Sequence, residues 1–175
     1  MKKVRILMAA AAIFSLNGFL FAGEKLDIKG DFVKCRADGI PDGWVVHSKN
    51  FDEAGKVSVN TVPDTEKKAV QITSKTKAIH FYTTETWPSV KGDRCVIKAM
   101  VKGSGQGSLS VYLYPGGVMA NKGFQATEEW TDVAAELITP DRPEPVEKLR
   151  VVLAVSPGAS IEFMDVTAEI VKKQE

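Results

Sequence analysis

Period-two alternation over residues 95–114 is the feature that most constrains this fold. In Cys95-Val-Ile-Lys-Ala-Met-Val-Lys102, the residues Cys95, Ile97, Ala99 and Val101 fall on one side. In Ser108-Leu-Ser-Val-Tyr-Leu-Tyr114, Leu109, Val111 and Leu113 do the same. Alternation of this kind marks strands with one buried face. Gly103-Ser-Gly-Gln-Gly107 between them predicts a β-hairpin with a flexible loop. The apolar sets must face a core, which leaves Lys98, Met100, Lys102, Ser110, Tyr112 and Tyr114 on the other side. Outward tyrosines with no catalytic group beside them point to binding by stacking rather than to chemistry.

The rest of the chain repeats the theme. Strand-like runs occupy 31–35, 44–48, 57–62, 69–73, 78–84, 131–138, 148–155 and 161–171. Turn signals divide them: Asp38-Gly-Ile-Pro-Asp-Gly43, Pro63-Asp64, Lys91-Gly-Asp93, Pro115-Gly-Gly117, Pro140-Asp-Arg-Pro143 and Pro157-Gly158. No segment keeps helical periodicity over three turns. Short, regular strands with Gly and Pro turns predict an all-β sandwich of two antiparallel sheets. Asp141 to Glu147 reads as a loop, and the tail from Lys172 as frayed.

The start of the chain is of another kind. Met-Lys-Lys-Val-Arg5 precedes an apolar run from Ile6 to Phe21, broken by Ser15, Asn17 and Gly18 and followed by the small Ala22. This order predicts a secretory signal peptide over 1–22 and one domain over 23–175. The alternative, a membrane anchor, asks for a longer unbroken run. The expectation is therefore an exported protein, secreted, at the cell surface or periplasmic, with no membrane contact after cleavage. Without Lys2, Lys3 and Arg5 the basic count falls from 23 to 20 against 22 acidic residues, a net charge near −2. That argues against a nucleic-acid partner, which needs a basic surface. About 150 residues remain, the size of one domain with a real core.

Two cysteines, Cys35 and Cys95, stand in the chain. In an exported protein such a pair suggests a disulfide closing a loop of about 60 residues, contributing roughly 4 kcal/mol on the chain-entropy model. The alternative is two free buried thiols. Neither has a CxxC partner, so redox catalysis is not expected.

Several motifs, taken in order, resemble a known family. Gly30-Asp-Phe32 is followed by Pro41-Asp-Gly-Trp44. Lys91-Gly-Asp-Arg-Cys95 leads into a strand ending Met100-Val-Lys-Gly103. Trp130 opens a later strand, and Ile161-Glu-Phe-Met-Asp-Val166 closes the domain. In order and spacing this is similar to the carbohydrate-binding modules of families 4 and 9, of the galactose-binding-like superfamily. The resemblance covers essentially all of 23–175. It implies a jelly-roll β-sandwich that binds oligo- or polysaccharide through aromatic residues, with separate glycan-active enzymes as partners. It also implies a structural calcium held by acids near both ends. Here Val33 and Met164 replace two of those acids and leave Asp165 as the one candidate ligand, so neither metal nor cofactor is expected. A Cys35–Cys95 bridge would tie the first strand to a central one in place of a metal clamp.

The candidate ligand-binding residues are Tyr112 and Tyr114, with Tyr82, Trp87, Lys98, Gln125 and Arg150. Hairpin pairing would set Lys98 opposite Tyr112, a cation between two rings. Tyr82 shares its parity with His80 and would extend the platform if that strand joins the same sheet. Trp87, followed by Pro88, reads equally as loop packing or a binding rim. Trp44 and Trp130 read as packing anchors, and His47 as structural or solvated. No catalytic constellation is visible, and no glycine-rich segment leads from strand to helix as a phosphate loop requires. Two other readings stay open. A structural or protein-interaction domain would show an outward face without coplanar aromatics. A small jelly-roll lyase or hydrolase would show His80, Tyr82 and Arg150 meeting in one groove.

Overall fold

The computed structural model describes residues 23–46 and 54–173. The expected signal peptide, His47 and the last two residues lie outside them. Every regular element named here is a strand: β1 (Glu24–Lys25), β2 (Trp44–Val46), β3 (Gly55–Thr61), β4 (Lys68–Ser74), β5 (Ile79–Thr83), β6 (Trp87–Pro88), β7 (Arg94–Tyr114), β8 (Val118–Ala126), β9 (Thr131–Ile138), β10 (Lys148–Val155) and β11 (Ser160–Val171). They form an all-β jelly-roll sandwich of two antiparallel sheets. The first runs β3-β4-β11-β7-β9, with β1 also beside β11. The second runs β2-β5-β10-β7-β8, with β6 beside the start of β10.

β7 belongs to both sheets, which corrects the expected hairpin. Residues 94–101 pair with β9, and 94–104 pair with β11. Residues 105–113 then pair with β8, and 107–114 with β10. The glycines are a bend in one continuous strand, not a loop between two. Gly105 has φ +88°, and a Cβ there would lie 2.5 Å from the Ala159 Cβ, so only glycine lets β7 pass that close to the turn before β11. Pairing continues through the bend: the Gly103 amide donates to the Thr127 carbonyl at 2.7 Å.

The core lies between the sheets. Ile97, Ala99 and Val101 reach it from the first half of β7, and Leu109, Val111 and Leu113 from the second, as alternation requires. Leu149, Val151, Leu153 and Val155 do so from β10. Trp44 is fully buried, stacks on Phe81 at 5.0 Å and tilts against Phe32 at 5.7 Å. Its indole N–H donates to the Lys29 carbonyl, the partner a buried tryptophan needs. Trp130, read as a core anchor, sits elsewhere. It packs half-buried against Met100 and Met164 in a small satellite cluster on the outer side of the first sheet.

The Cys35–Cys95 bridge is not formed, and both thiols are free. Cys95 points inward from β7 and is 1% exposed, and burial, followed by the nearby Glu169 charge, pushes its pKa up to about 12. Cys35 sits exposed in an irregular segment whose only ladder contact among the described residues is a bridge to Pro41, so the strand expected over 31–35 is absent. The tail is also better held than expected at Lys172 and Lys173. Asp93 accepts from the Lys172 ammonium at 3.0 Å and from the Lys173 amide at 3.1 Å.

Candidate ligand-binding face

The outward side of the second sheet gathers most of the residues singled out above. Register fixes its rows. Tyr82 of β5 lies opposite Val152 of β10, Val152 opposite Ser110 of β7, and Ser110 opposite Asn121 of β8. One row on, Arg150 lies opposite Tyr112, and Tyr112 opposite Met119. Lys148 lies opposite Tyr114 in the next row. Side chains of one parity share a face, so these residues and His80 stand on the same side.

The rings form a continuous line. His80 to Tyr82 is 6.1 Å between centroids, Tyr82 to Tyr112 is 5.7 Å, and Tyr112 to Tyr114 is 4.8 Å. Their planes cross at 79°, 75° and 61°, so each ring presents an edge to the next. This is a corrugated wall, not the flat platform that stacking alone suggests. Val152 and Ser110 on this outward side are 0% exposed, which makes them its floor. Tyr112 and Tyr114 are half-buried, whereas Tyr82 is only 7% exposed, so its ring is not an open stacking surface. Burial raises the Tyr82 pKa above its ordinary value; the phenols of Tyr112 and Tyr114 add to this, and Arg150 opposes it.

The cation beside the rings is Arg150, not Lys98. The Arg150 guanidinium carbon lies 5.5 Å from the Tyr114 ring centroid, and the Lys148 ammonium lies 5.9 Å from it, both within cation–π range. Lys98 is exposed on the outer side of the first sheet, between Thr167 and Ala134, because β7 has changed sheets between Lys98 and Tyr112. Gln125 shares the tyrosine side but lies opposite Gln106, six residues along β7 from Tyr112, at the far end. Trp87 pairs with Leu149 and packs half-buried against the core, which removes it from this face. The alternation missed Asn121, Met119 and Lys148. Lys148 had a readable signal, since it shares parity with Arg150 on a well-marked strand.

The region of the implied calcium is a separate groove of about 780 Å³, lined by Lys25 to Asp31, Val33, Lys34, Asp42 and the 165–167 segment. The Asp165 carboxylate pairs with the Lys67 ammonium at 2.5 Å, and Asp31 accepts from the Val33 amide. Among the described residues, no three His, Cys, Asp or Glu side chains come together as metal ligands.

No family profile and no curated protein matches the sequence. Solved structures do match in shape. A family 22 carbohydrate-binding module, a xylan-binding domain from Paenibacillus barcinonensis, superposes with TM-score 0.56 at 17% identity, over 87% of this chain and 98% of that one. A family 4 module gives 0.53 at 17% identity, over 81% and 97%. The enzymatically active domain of bacteriophage CBA120 tailspike protein 4 gives 0.59 at 13% identity; the match covers 85% of this chain but only 21% of that chain. The fold is that of the carbohydrate-binding β-sandwich modules, and no single family among them is singled out.

Proposed function

We propose that the outward face of the second sheet binds an oligo- or polysaccharide and performs no chemistry on it. The observation that carries this reading is the line Tyr82–Tyr112–Tyr114 with Arg150 beside it, on an outward sheet face. Similarity of fold supports it: one neighbour is described as xylan-binding, and a family 29 module was solved with cellulohexaose at TM-score 0.51 and 13% identity. Sugar rings offer axial C–H groups to aromatic faces and hydroxyls to polar side chains. Tyr112 and Tyr114 supply the first. The tyrosine hydroxyls, Asn121, Arg150 and Gln125 supply the second. Crossed rings suit a chain lying in a groove, touched on face and edge, better than a crystalline surface. With few groups buried, the affinity falls in the micromolar to millimolar range, on the order of −4 to −8 kcal/mol. In this reading the chain is exported through 1–22 and works beside separate glycan-active enzymes.

Two arrangements on the same face speak for rivals. The rings are not coplanar, as a protein-interaction surface would allow. His80, Tyr82 and Arg150 also share one side of the second sheet, as a lyase would require. The raised Tyr82 pKa works against a tyrosinate base there. Affinity electrophoresis through gels containing xylan, β-glucan, mannan, galactan or alginate separates the three. Retardation without new reducing ends or ultraviolet-absorbing unsaturated product supports binding alone. Product formation supports the lyase or hydrolase. A folded protein retarded by none supports the interaction domain.

A further inference from the structure

We propose that the glycan bound on this face is acidic, a carboxylated sugar whose carboxylate Arg150 receives with Lys148 beside it. The inference rests on the binding reading above and names its ligand class. Charge pairing is the first ground. Lys29, Arg36, Lys67, Lys91, Arg94 and Lys172 each pair with an Asp or Glu. Arg150 and Lys148 pair with no carboxylate among the described residues, a state they share with other surface cations such as Lys98 and Lys122; what sets these two apart is that both lie near the Tyr114 ring, side by side on the ligand-binding face. No strand residue on this face is acidic: β5 offers His80 and Tyr82, β7 serines and tyrosines, β8 Met119, Asn121 and Gln125. The whole chain carries only +1, so this positive face is local and does not follow from composition.

The second ground is one atom. The Arg150 Nε is buried and has no hydrogen-bond partner among the described residues. A buried donor of a charged group left unsatisfied is rare and unfavourable. The Tyr114 ring beside the guanidinium limits where its planar fork can point. Such a fork matches a carboxylate with two parallel N–H···O bonds and balances its charge. The buried Nε is reached only if the side chain shifts on binding, and a neutral sugar, which offers hydroxyls alone, leaves the guanidinium charge unanswered.

The test compares polygalacturonate and alginate with their carboxyl-reduced forms, alongside xylan and mannan, by affinity electrophoresis at fixed low salt. The expected result is retardation by at least one polyuronate and a loss of about ten-fold or more in affinity on carboxyl reduction. Arg150→Gln should lose about as much on the acidic polymer and little on the reduced one, with Arg150→Lys between them. Lys148→Gln, an exposed position, should weaken the acidic polymer by a smaller factor and guards against misfolding of the Arg150 variants. Equal binding of acidic and reduced forms, or binding of neutral glycans alone, overturns the inference while leaving the binding reading intact. Equal retardation by poly-glutamate also overturns it, since charge alone would then suffice. Retention by no glycan, acidic or neutral, overturns both.

Discussion

Replacing Gly105 with alanine tests whether β7 is one bent strand. Gly105 has φ +88°, where an L side chain is strained by about 1–2 kcal/mol. Its new Cβ would lie 2.5 Å from the Ala159 Cβ and 2.9 Å from the Ala159 Cα. Neither atom belongs to a flexible side chain, so the two sheets must give way, at about 1–3 kcal/mol as for overpacking elsewhere. The sum is roughly 2–5 kcal/mol, a large part of the ~5–15 kcal/mol typical of a domain. Gly158→Ala is the control. Its φ is +77° and nothing lies within 4 Å of the added Cβ, so only the strain of about 1–2 kcal/mol applies. Urea unfolding followed by far-ultraviolet circular dichroism reads both. With m near ~2 kcal/mol/M, Gly105→Ala should move the midpoint down by ~1–2.5 M and Gly158→Ala by less than ~1 M, with m unchanged. In a flexible hairpin loop the same change would be neutral or stabilising by about 0.4–1 kcal/mol. A Gly105→Ala midpoint at or above that of Gly158→Ala would refute the single-strand reasoning.

Other predictions follow from groups outside the face. Burial alone would raise the pKa of Asp93, but the Val90 and Lys173 amides and the Lys172 ammonium outweigh it and hold the carboxyl below the ordinary carboxylate value. The folded state therefore binds fewer protons there, and its stabilising effect is present above the ordinary carboxylate value and lost as pH falls through the lowered one. Asp93→Asn should cost about 2–3 kcal/mol at neutral pH and make the acid limb of a stability profile shallower; a parallel limb would count against this. One thiol, Cys35, should react with a disulfide reagent in the native protein and two after unfolding without reductant. A second fast-reacting native thiol contradicts the buried placement of Cys95, and none after unfolding contradicts the free state of both cysteines.

The parts of the fold legible in the sequence were those where one face is buried and the other wet. The expected range 131–138 matches β9, because Ala135 and Leu137 alternate with exposed residues against the core; 148–155 matches β10 on a different signal, an apolar run from Val151 to Val155 that is buried on both sides. β8 escaped notice because it is an edge strand: Asn121, Lys122 and Gly123 follow one another, and with one ladder partner it needs no continuous apolar side. Parity placed Tyr82, Tyr112, Tyr114 and Arg150 on outward faces, but it says nothing about which strands are neighbours. Lys98 therefore looked like the partner of Tyr112, although β7 carries the two to different sheets. Glycine enrichment at 103–107 cannot tell a loop from a bend, since both need positive φ and close backbone approach. The near-complete burial of Tyr82 was likewise out of reach, because it depends on β5 sitting beside β10 in the finished sheet.

The central claim concerns one face, and the most direct measurement maps it. Two-dimensional amide NMR of isotopically labelled protein, titrated with an oligosaccharide of whichever polymer retards it, reports contact residue by residue. The three tryptophans are poor reporters, since Trp44 and Trp87 pack in the core and Trp130 lies on the first sheet. The account predicts saturable shifts concentrated at 80–82, 108–114, 119–125 and 148–154. Shifts confined to 94–101 and 131–136, or to the groove around 25–34 and 165–167, would place the ligand elsewhere and contradict it.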